Sequence, residues 1–195
     1  FAGEIVRVGK NVKDWRPGQR IVSDNTGHVC GRCPACERGD YLLCSEKVNL
    51  GLGYGYSGGF TKYCRIPGEI LAIHKRAIWE IPEGLEYEEA AVMDPICNAY
   101  KAIAQRSGLL PGENVVIFGT GPLGLFSVQI AKIMGALNIV VVGLEEDVKV
   151  RFGVARQLGA TEVVNGSAED VVKRCQEICG GSDSIGLVVD CAGAN

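Results

Sequence analysis

The chain has 195 residues, 47% of them apolar, and a formal net charge of -3. That is enough apolar material to bury a core in one large or two small domains. The slightly acidic balance, with no long basic run, argues against nucleic acid or an anionic membrane as the main partner. No apolar run approaches the length of a membrane span and no basic-then-apolar leader is visible, so a cytoplasmic protein is expected.

From Phe1 to about Pro82 the pattern is one of short strands and turns. Glu4 to Val8 alternates, Trp15 to Val22 is a turn feeding a strand, and Phe60 to Ile66 alternates again, which predicts a small, mostly antiparallel β domain. The glycine- and aromatic-rich segment from Gly51 to Gly59 reads as a loop. Phe1 to Gly9 begins as a strand without a start, and Ile185 to Asp190 is a strand near the other end, so an internal fragment of a longer protein is expected.

Within this first half, Cys30, Cys33 and Cys36 stand at C-x-x-C-x-x-C, and Cys44 follows after seven more residues. Nine cysteines is an odd number for a disulfide framework, and four crowded into one loop point to metal instead. A two-residue gap lets the chain curl so that neighbouring sulfurs meet one ion, and four thiolates close a tetrahedral zinc shell. A closed shell leaves no place for substrate, so this zinc is structural, holding a lobe too small to fold by burial alone. An iron–sulfur cluster fits less well, because the bacterial run brings its fourth cysteine three residues on and follows it with proline, whereas Ser45 follows Cys44. Cys64, Cys97, Cys175, Cys179 and Cys191 read as packing thiols, and His74, beside Lys75 and Arg76, reads as a surface residue.

From Tyr87 the pattern turns helical, through Glu88 to Met93 and then, after Pro95, from Ile96 to Arg106. Here two domains meet, 1–94 and 95–195. Beyond them strands and helices alternate. Strands are expected over Val115 to Phe118, Ile139 to Val142, Glu162 to Val164 and Gly186 to Asp190, with helices between, which predicts a doubly wound parallel sheet. The first strand runs into Gly119-Thr120-Gly121-Pro122-Leu123-Gly124 and then a helix. Strand before and helix after are what a G-x-G-x-x-G turn needs to hold a pyrophosphate. Gly119 allows the tight turn, Gly121 the close approach of backbone to phosphate and Gly124 the packing of helix on strand, with the helix N–H groups facing the anion.

A C-x-x-C-x-x-C-x7-C loop, a helical hinge and then G-x-G-x-x-G together resemble the zinc-dependent medium-chain alcohol dehydrogenases, over essentially the whole chain. Phe1 to Gly9 looks like the strand after the family's Gly-His-Glu motif, with Gln19 in the next turn where aspartate is usual. Glu89 to Pro95 looks like the segment supplying a late ligand of a catalytic zinc, and Asp94-Pro95-Ile96-Cys97-Asn98-Ala99 is most similar to the threonine and sorbitol (polyol) dehydrogenase branch. The resemblance implies an α/β protein: part of a GroES-like β-rich catalytic domain carrying the zinc loop, followed by the first four strands of a Rossmann-type sheet. It implies hydride transfer from a secondary alcohol to NAD or NADP in a homo-oligomer, dimer or tetramer. It also implies a catalytic zinc with Asp94 as one ligand and the others upstream of Phe1. Read without the resemblance, Asp94 is a helix cap.

In the same family an acid at the end of the second strand reads the cofactor ribose; here that position is Gly143. A glycine leaves room for a 2′-phosphate, with Lys149 or Arg151 to meet it, while Glu145 or Asp147 could serve a 2′-hydroxyl. Lys149 and Arg151 also fit a solvated helix face. Asp190-Cys191-Ala192-Gly193-Ala194 resembles the loop near the nicotinamide, and His28 resembles a histidine near the substrate pocket, displaced by one residue. Two other functions compete: a reductase of the same superfamily without catalytic zinc, whose members typically lack the four-cysteine loop, and a zinc-loop binding module, which the acidic balance disfavours.

Overall fold

The computed structural model describes residues 1–47, 51–53 and 55–193. Their contacts divide into two units, Phe1–Met93 and Asp94–Asn195.

In the first unit, strand β1 (Ala2–Glu4) pairs antiparallel with β2 (Arg20–Ser23), and β2 pairs antiparallel with β3 (Ile78–Glu80). Ile21 and Ser23 are buried while Arg20 and Val22 are less so, the two-residue period of a sheet with one covered face. Gln19 does the work of a turn acid: its side-chain oxygen accepts the Arg16 N–H at 2.8 Å, closing the turn around Gly18, whose φ is +87°. Two short helices precede β3, α1 (Pro34–Glu37) and α2 (Gly68–Ile73). After β3 comes α3 (Tyr87–Ala91), opened by a capping box in which the Glu86 N–H donates to Glu89 Oε2 at 2.8 Å. Arg20 donates to Leu85 O and lies 4.6 Å above the Tyr87 ring, tying β2 to α3.

The predicted strand over 60–66 does not form. Alternation alone lacks a partner edge there, and Phe60 and Tyr63 stay exposed. The glycine-rich segment is a turn, with the Gly53 N–H donating to Tyr56 O at 3.0 Å; its Tyr54 lies outside the described residues.

The second unit opens with α4 (Met93–Tyr100), whose first residue belongs to the preceding unit and which continues as a wider π-helical turn over Lys101–Arg106. The helix runs through Pro95 instead of starting after it, because a first-turn residue needs no N–H bond. Strands β4 (Asn114–Phe118), β5 (Ile139–Gly143), β6 (Glu162–Asn165) and β7 (Ile185–Asp190) form one parallel sheet in the order β6-β5-β4-β7. Helices α5 (Pro122–Ile133), α6 (Arg151–Leu158) and α7 (Val171–Cys179) connect them.

Because β4 and β5 are covered on both sides, their residues sort by parity. Val115, Ile117, Ile139 and Val141 join Val128 and Ala131 of α5 in one core. Val116, Val140 and Val142 join Cys175 and Cys179 of α7 in another, so the two α7 cysteines are packing residues. At the start of β4 the buried Asn114 donates to Cys179 O and Ser184 O and accepts from Asn138, which fastens the bottom of the sheet.

Candidate functional site

The sulfur atoms of Cys30, Cys33, Cys36 and Cys44 all lie within 4.8 Å of one another, and Cys30 Sγ is 3.9 Å from Cys36 Sγ. A tetrahedral shell with Zn–S of about 2.3 Å puts its sulfurs about 3.8 Å apart, so the set fits zinc once its wider pairs, which reach up to 4.8 Å, draw in by about 1 Å. Cys33 caps α1, with Pro34 as the first helical residue, which turns the chain sharply enough to bring Cys36 back beside it. The N–H groups of Cys36 and Ser45 hold the Cys33 thiol down to about 6, whereas burial pushes Cys36 up to about 12. Burial also pushes Cys44 up, but N–H groups of Cys30 and Glu46 outweigh it, and the Cys30 N–H donates to Cys44 Sγ at 3.3 Å. Four thiols this close cannot all ionise alone; a divalent, thiophilic cation removes the conflict. All nine cysteines are free.

Around the cluster are side chains whose part was not visible as a motif. Glu46 pairs with Arg32 at 2.7 Å and lies 3.8 Å from His28, closing the two ends of the loop on each other. His28 therefore has a structural partner in the lobe. His74, read from the sequence as a surface residue, has a side chain only 13% exposed, because Asp24 and Tyr41 cover it.

The second site lies at the carboxyl ends of β4, β5 and β7. Gly119 has φ +98°, and a Cβ on it would lie 2.9 Å from the backbone of Cys191 and 3.0 Å from Ala192 N, so the turn passes against the chain leaving β7. A Cβ on Gly124 would lie 2.0 Å from Gly119 O. Gly121 differs. It caps α5, nothing lies within 4 Å of where its Cβ would be, and the first helical bond runs from Leu125 N–H to Gly121 O at 2.9 Å. The N–H groups of Leu123 and Gly124 thus precede the ladder at an open cradle, with Pro122 supplying none. Two glycines are filled by backbone and one faces space, which is the distribution a pyrophosphate turn requires.

Thr120 is buried beneath this cradle. Its hydroxyl faces the Asp147 carboxylate closely enough to lower that acid's pKa, though it completes no hydrogen bond of good geometry among the described residues.

The expected room at Gly143 is not there. A Cβ on this residue would lie 2.6 Å from the Phe152 ring, 2.8 Å from Asp147 Oδ2 and 2.9 Å from Thr120 Cγ2. Asp147, four residues beyond the strand, folds back over the glycine and accepts the Leu144 N–H at 2.9 Å, capping a short 3₁₀ turn over Glu145–Asp147. Burial pushes the Asp147 carboxyl up, but the Leu144 N–H, Thr120 and Arg151 together hold it below the usual aspartate range. Arg151 lies 3.5 Å from Asp147 with its side chain 57% exposed, and Lys149 is exposed. Gly143→Ala is accordingly expected to cost about 1–3 kcal/mol. A denaturant melt unchanged from wild type would show that the space is free after all.

Ala192 is exposed and its N–H donates to Asp190 Oδ1 at 2.9 Å; Ala194 lies outside the described residues. Asp94 is exposed in the first turn of α4, and its carbonyl accepts from Asn98 Nδ2 at 3.1 Å. Among the described residues the four cysteines are the only metal-competent cluster, so no further ligand accompanies Asp94 and a single carboxylate is not a zinc shell.

The GroES-like domain of alcohol dehydrogenases matches residues 1–76, and the zinc-binding dehydrogenase domain matches residues 122–195. The chain belongs to the zinc-type alcohol dehydrogenase family. It is 70% identical over its whole length to the zinc-type alcohol dehydrogenase-like protein YdjL of Escherichia coli K12, itself uncharacterised, of which it covers 54%. It is 34% identical, again over its whole length, to D-arabitol-phosphate dehydrogenase of Enterococcus avium, covering 52% of that protein. A zinc-binding dehydrogenase of Sinorhizobium meliloti 1021, solved bound to NADP, superposes on the entire chain with a TM-score of 0.82 and 31% identity, over 53% of its own length. The chain thus spans about half the length of the curated relatives it matches. No helix among the described residues is long and apolar enough to cross a membrane.

Proposed function

We propose that this chain provides the nucleotide turn and structural zinc lobe of an NAD(P)-dependent dehydrogenase that oxidises a secondary alcohol of polyol or amino-alcohol type. The open cradle at Gly121, between two glycines packed against backbone, is the observation that carries this reading. The family and the D-arabitol-phosphate relative support the substrate class.

In this proposal the N–H groups at the start of α5 hold the pyrophosphate, with Gly119 and Gly124 fixing the turn, Pro122 presetting its first helical residue and Leu123 flanking it. The loop from Leu144 to Arg151 meets the adenosine ribose. Gly143 carries no side chain of its own there; Asp147 occupies the position and holds Arg151, which with Lys149 supplies positive charge for a 2′-phosphate, whereas Glu145 supplies an acceptor for a 2′-hydroxyl. Ala192 borders the nicotinamide end. The nicotinamide supplies the hydride acceptor. Asp94 contributes one ligand of a catalytic zinc, and no second ligand stands beside it among the described residues. A cytoplasmic homo-oligomer, dimer or tetramer, completes the proposal by family resemblance.

Titrating the full-length protein with NADH and with NADPH, followed by nicotinamide fluorescence, tests the reading. Saturable binding of at least one is expected, together with reduction of the matching oxidised cofactor in the presence of a polyol. Failure to bind either dinucleotide would end the proposal; binding without alcohol oxidation, with one zinc per chain instead of two, would favour a reductase of the same superfamily.

A further inference from the structure

The zinc lobe is gripped from outside by residues that are not ligands. His74 caps the C-terminal end of α2, its N–H donating to Ile70 O at 2.7 Å. Its ring Nε2–H donates to Asp24 Oδ2 at 2.7 Å, and Asp24 directly follows β2, where the chain leaves the sheet for the cysteines. Against the ring lies Tyr41, with centroids 4.3 Å apart and planes tilted by 43°. Tyr41 opens the 3₁₀ turn that ends at Cys44. The neighbouring Ile73 covers Gly31, between Cys30 and Cys33: a Cβ there would lie 3.1–3.3 Å from the Ile73 side chain.

Ile73, the last residue of α2, and its cap His74 therefore hold the loop at three places, its root, its first knuckle and its last turn. The root is rigid in turn. Asp24 accepts the Thr26 N–H at 2.8 Å and the Thr26 hydroxyl at 3.0 Å, and its own N–H donates to Ala77 O at 3.1 Å.

A bound ion leaves a four-thiolate shell by losing ligands one at a time, and each loss requires a segment of loop to swing away. Cys44 cannot swing without pulling Tyr41 off the His74 ring, and that ring is held by a part-buried hydrogen bond to a carboxylate. A loop already ordered by such contacts also forfeits less conformational entropy when the metal binds.

We propose that Asp24, His74 and Tyr41 form a positioning device that preassembles the four thiolates and slows the release of zinc from them. This rests on the zinc reading of the cysteine cluster. His74 touches no sulfur in the cluster as described; it acts through Tyr41 and the root of the loop.

The test is the rate at which zinc passes from the purified, zinc-loaded protein to an excess of a chromogenic chelator. His74→Ala is expected to release zinc about tenfold faster or more, the scale on which residues behind a metal ligand act. His74→Phe, which keeps a ring against Tyr41 but loses the donor, should lie between, and His74→Gln, whose amide can donate to Asp24, should return toward the wild-type rate. The Asp24→Ala, His74→Ala double variant should be no faster than the faster single one, because the two residues act as one contact. Cobalt-loaded His74→Ala should retain the tetrathiolate absorption bands, since the ligand set is unchanged. Should His74→Ala fail to fold, the contrast between Phe and Gln at this position decides: equal release in both, at the wild-type rate, overturns the proposal. Zinc-loaded wild type with unaltered release in the alanine variants overturns the brace alone, whereas a wild-type protein that binds no zinc removes the zinc reading and the brace with it.

Discussion

Cys36→Ser is expected to abolish stable zinc binding and unfold the lobe around it. Among the described residues Cys36 forms the lobe's small buried cluster with Val29 and Cys44, and burial pushes its thiol up to about 12. A core of that size cannot order its segment by burial alone, so the free energy of metal binding is the free energy that folds it. Serine is a poor zinc ligand, and the loss of affinity should exceed the roughly 10- to 100-fold typical of changes behind a ligand. Metal analysis after dialysis against a weak chelator, with Trp15 and Trp79 fluorescence as a monitor of the first unit, measures both effects. Full zinc occupancy at wild-type affinity would show that Cys36 is not a ligand.

The second large effect is expected at Gly124. In Gly124→Ala the new methyl carbon would sit 2.0 Å from Gly119 O, which is backbone and cannot rotate away. Helix α5 must therefore shift off β4, and the N–H groups it presents at Gly121 shift with it. The stability cost should reach about 3 kcal/mol, the upper part of the range for overpacked positions. Dinucleotide affinity should fall at least about tenfold, since the cradle loses its geometry. Gly121→Ala gives the informative contrast: its Cβ meets nothing in the protein, so the melt should stay near wild type while nucleotide binding weakens. If both variants melt alike and bind alike, the turn does not hold the cofactor.

The four-cysteine spacing and the glycine turn were legible because each is a local pattern. Two-residue gaps bring sulfurs together, and a strand-glycine-helix junction exposes N–H groups, whatever surrounds them. The parallel sheet was legible for a related reason: β4 and β5 are buried on both faces and read as unbroken apolar runs. The element boundaries were less so. Helix α6 starts only at Arg151, after a separate 3₁₀ turn over Glu145–Asp147, and the segment 60–66 alternates without an edge to pair with.

What the residue order determined here is the chemistry available: thiolates for a metal, amides for an anion, and a family resemblance that comparison with known proteins supports. What the tertiary structure alone decided is which neighbours use the space around those groups. By itself Gly143 offers an opening for a phosphate; in the fold Asp147, Phe152 and Thr120 fill the space a Cβ would take. By sequence His74 is one more polar residue beside Lys75 and Arg76; in the fold Asp24, 50 positions away, binds its ring and Tyr41 packs against it. Both depend on contacts between residues that no local pattern relates, because a buried position is defined by what packs upon it and not by its neighbours along the chain.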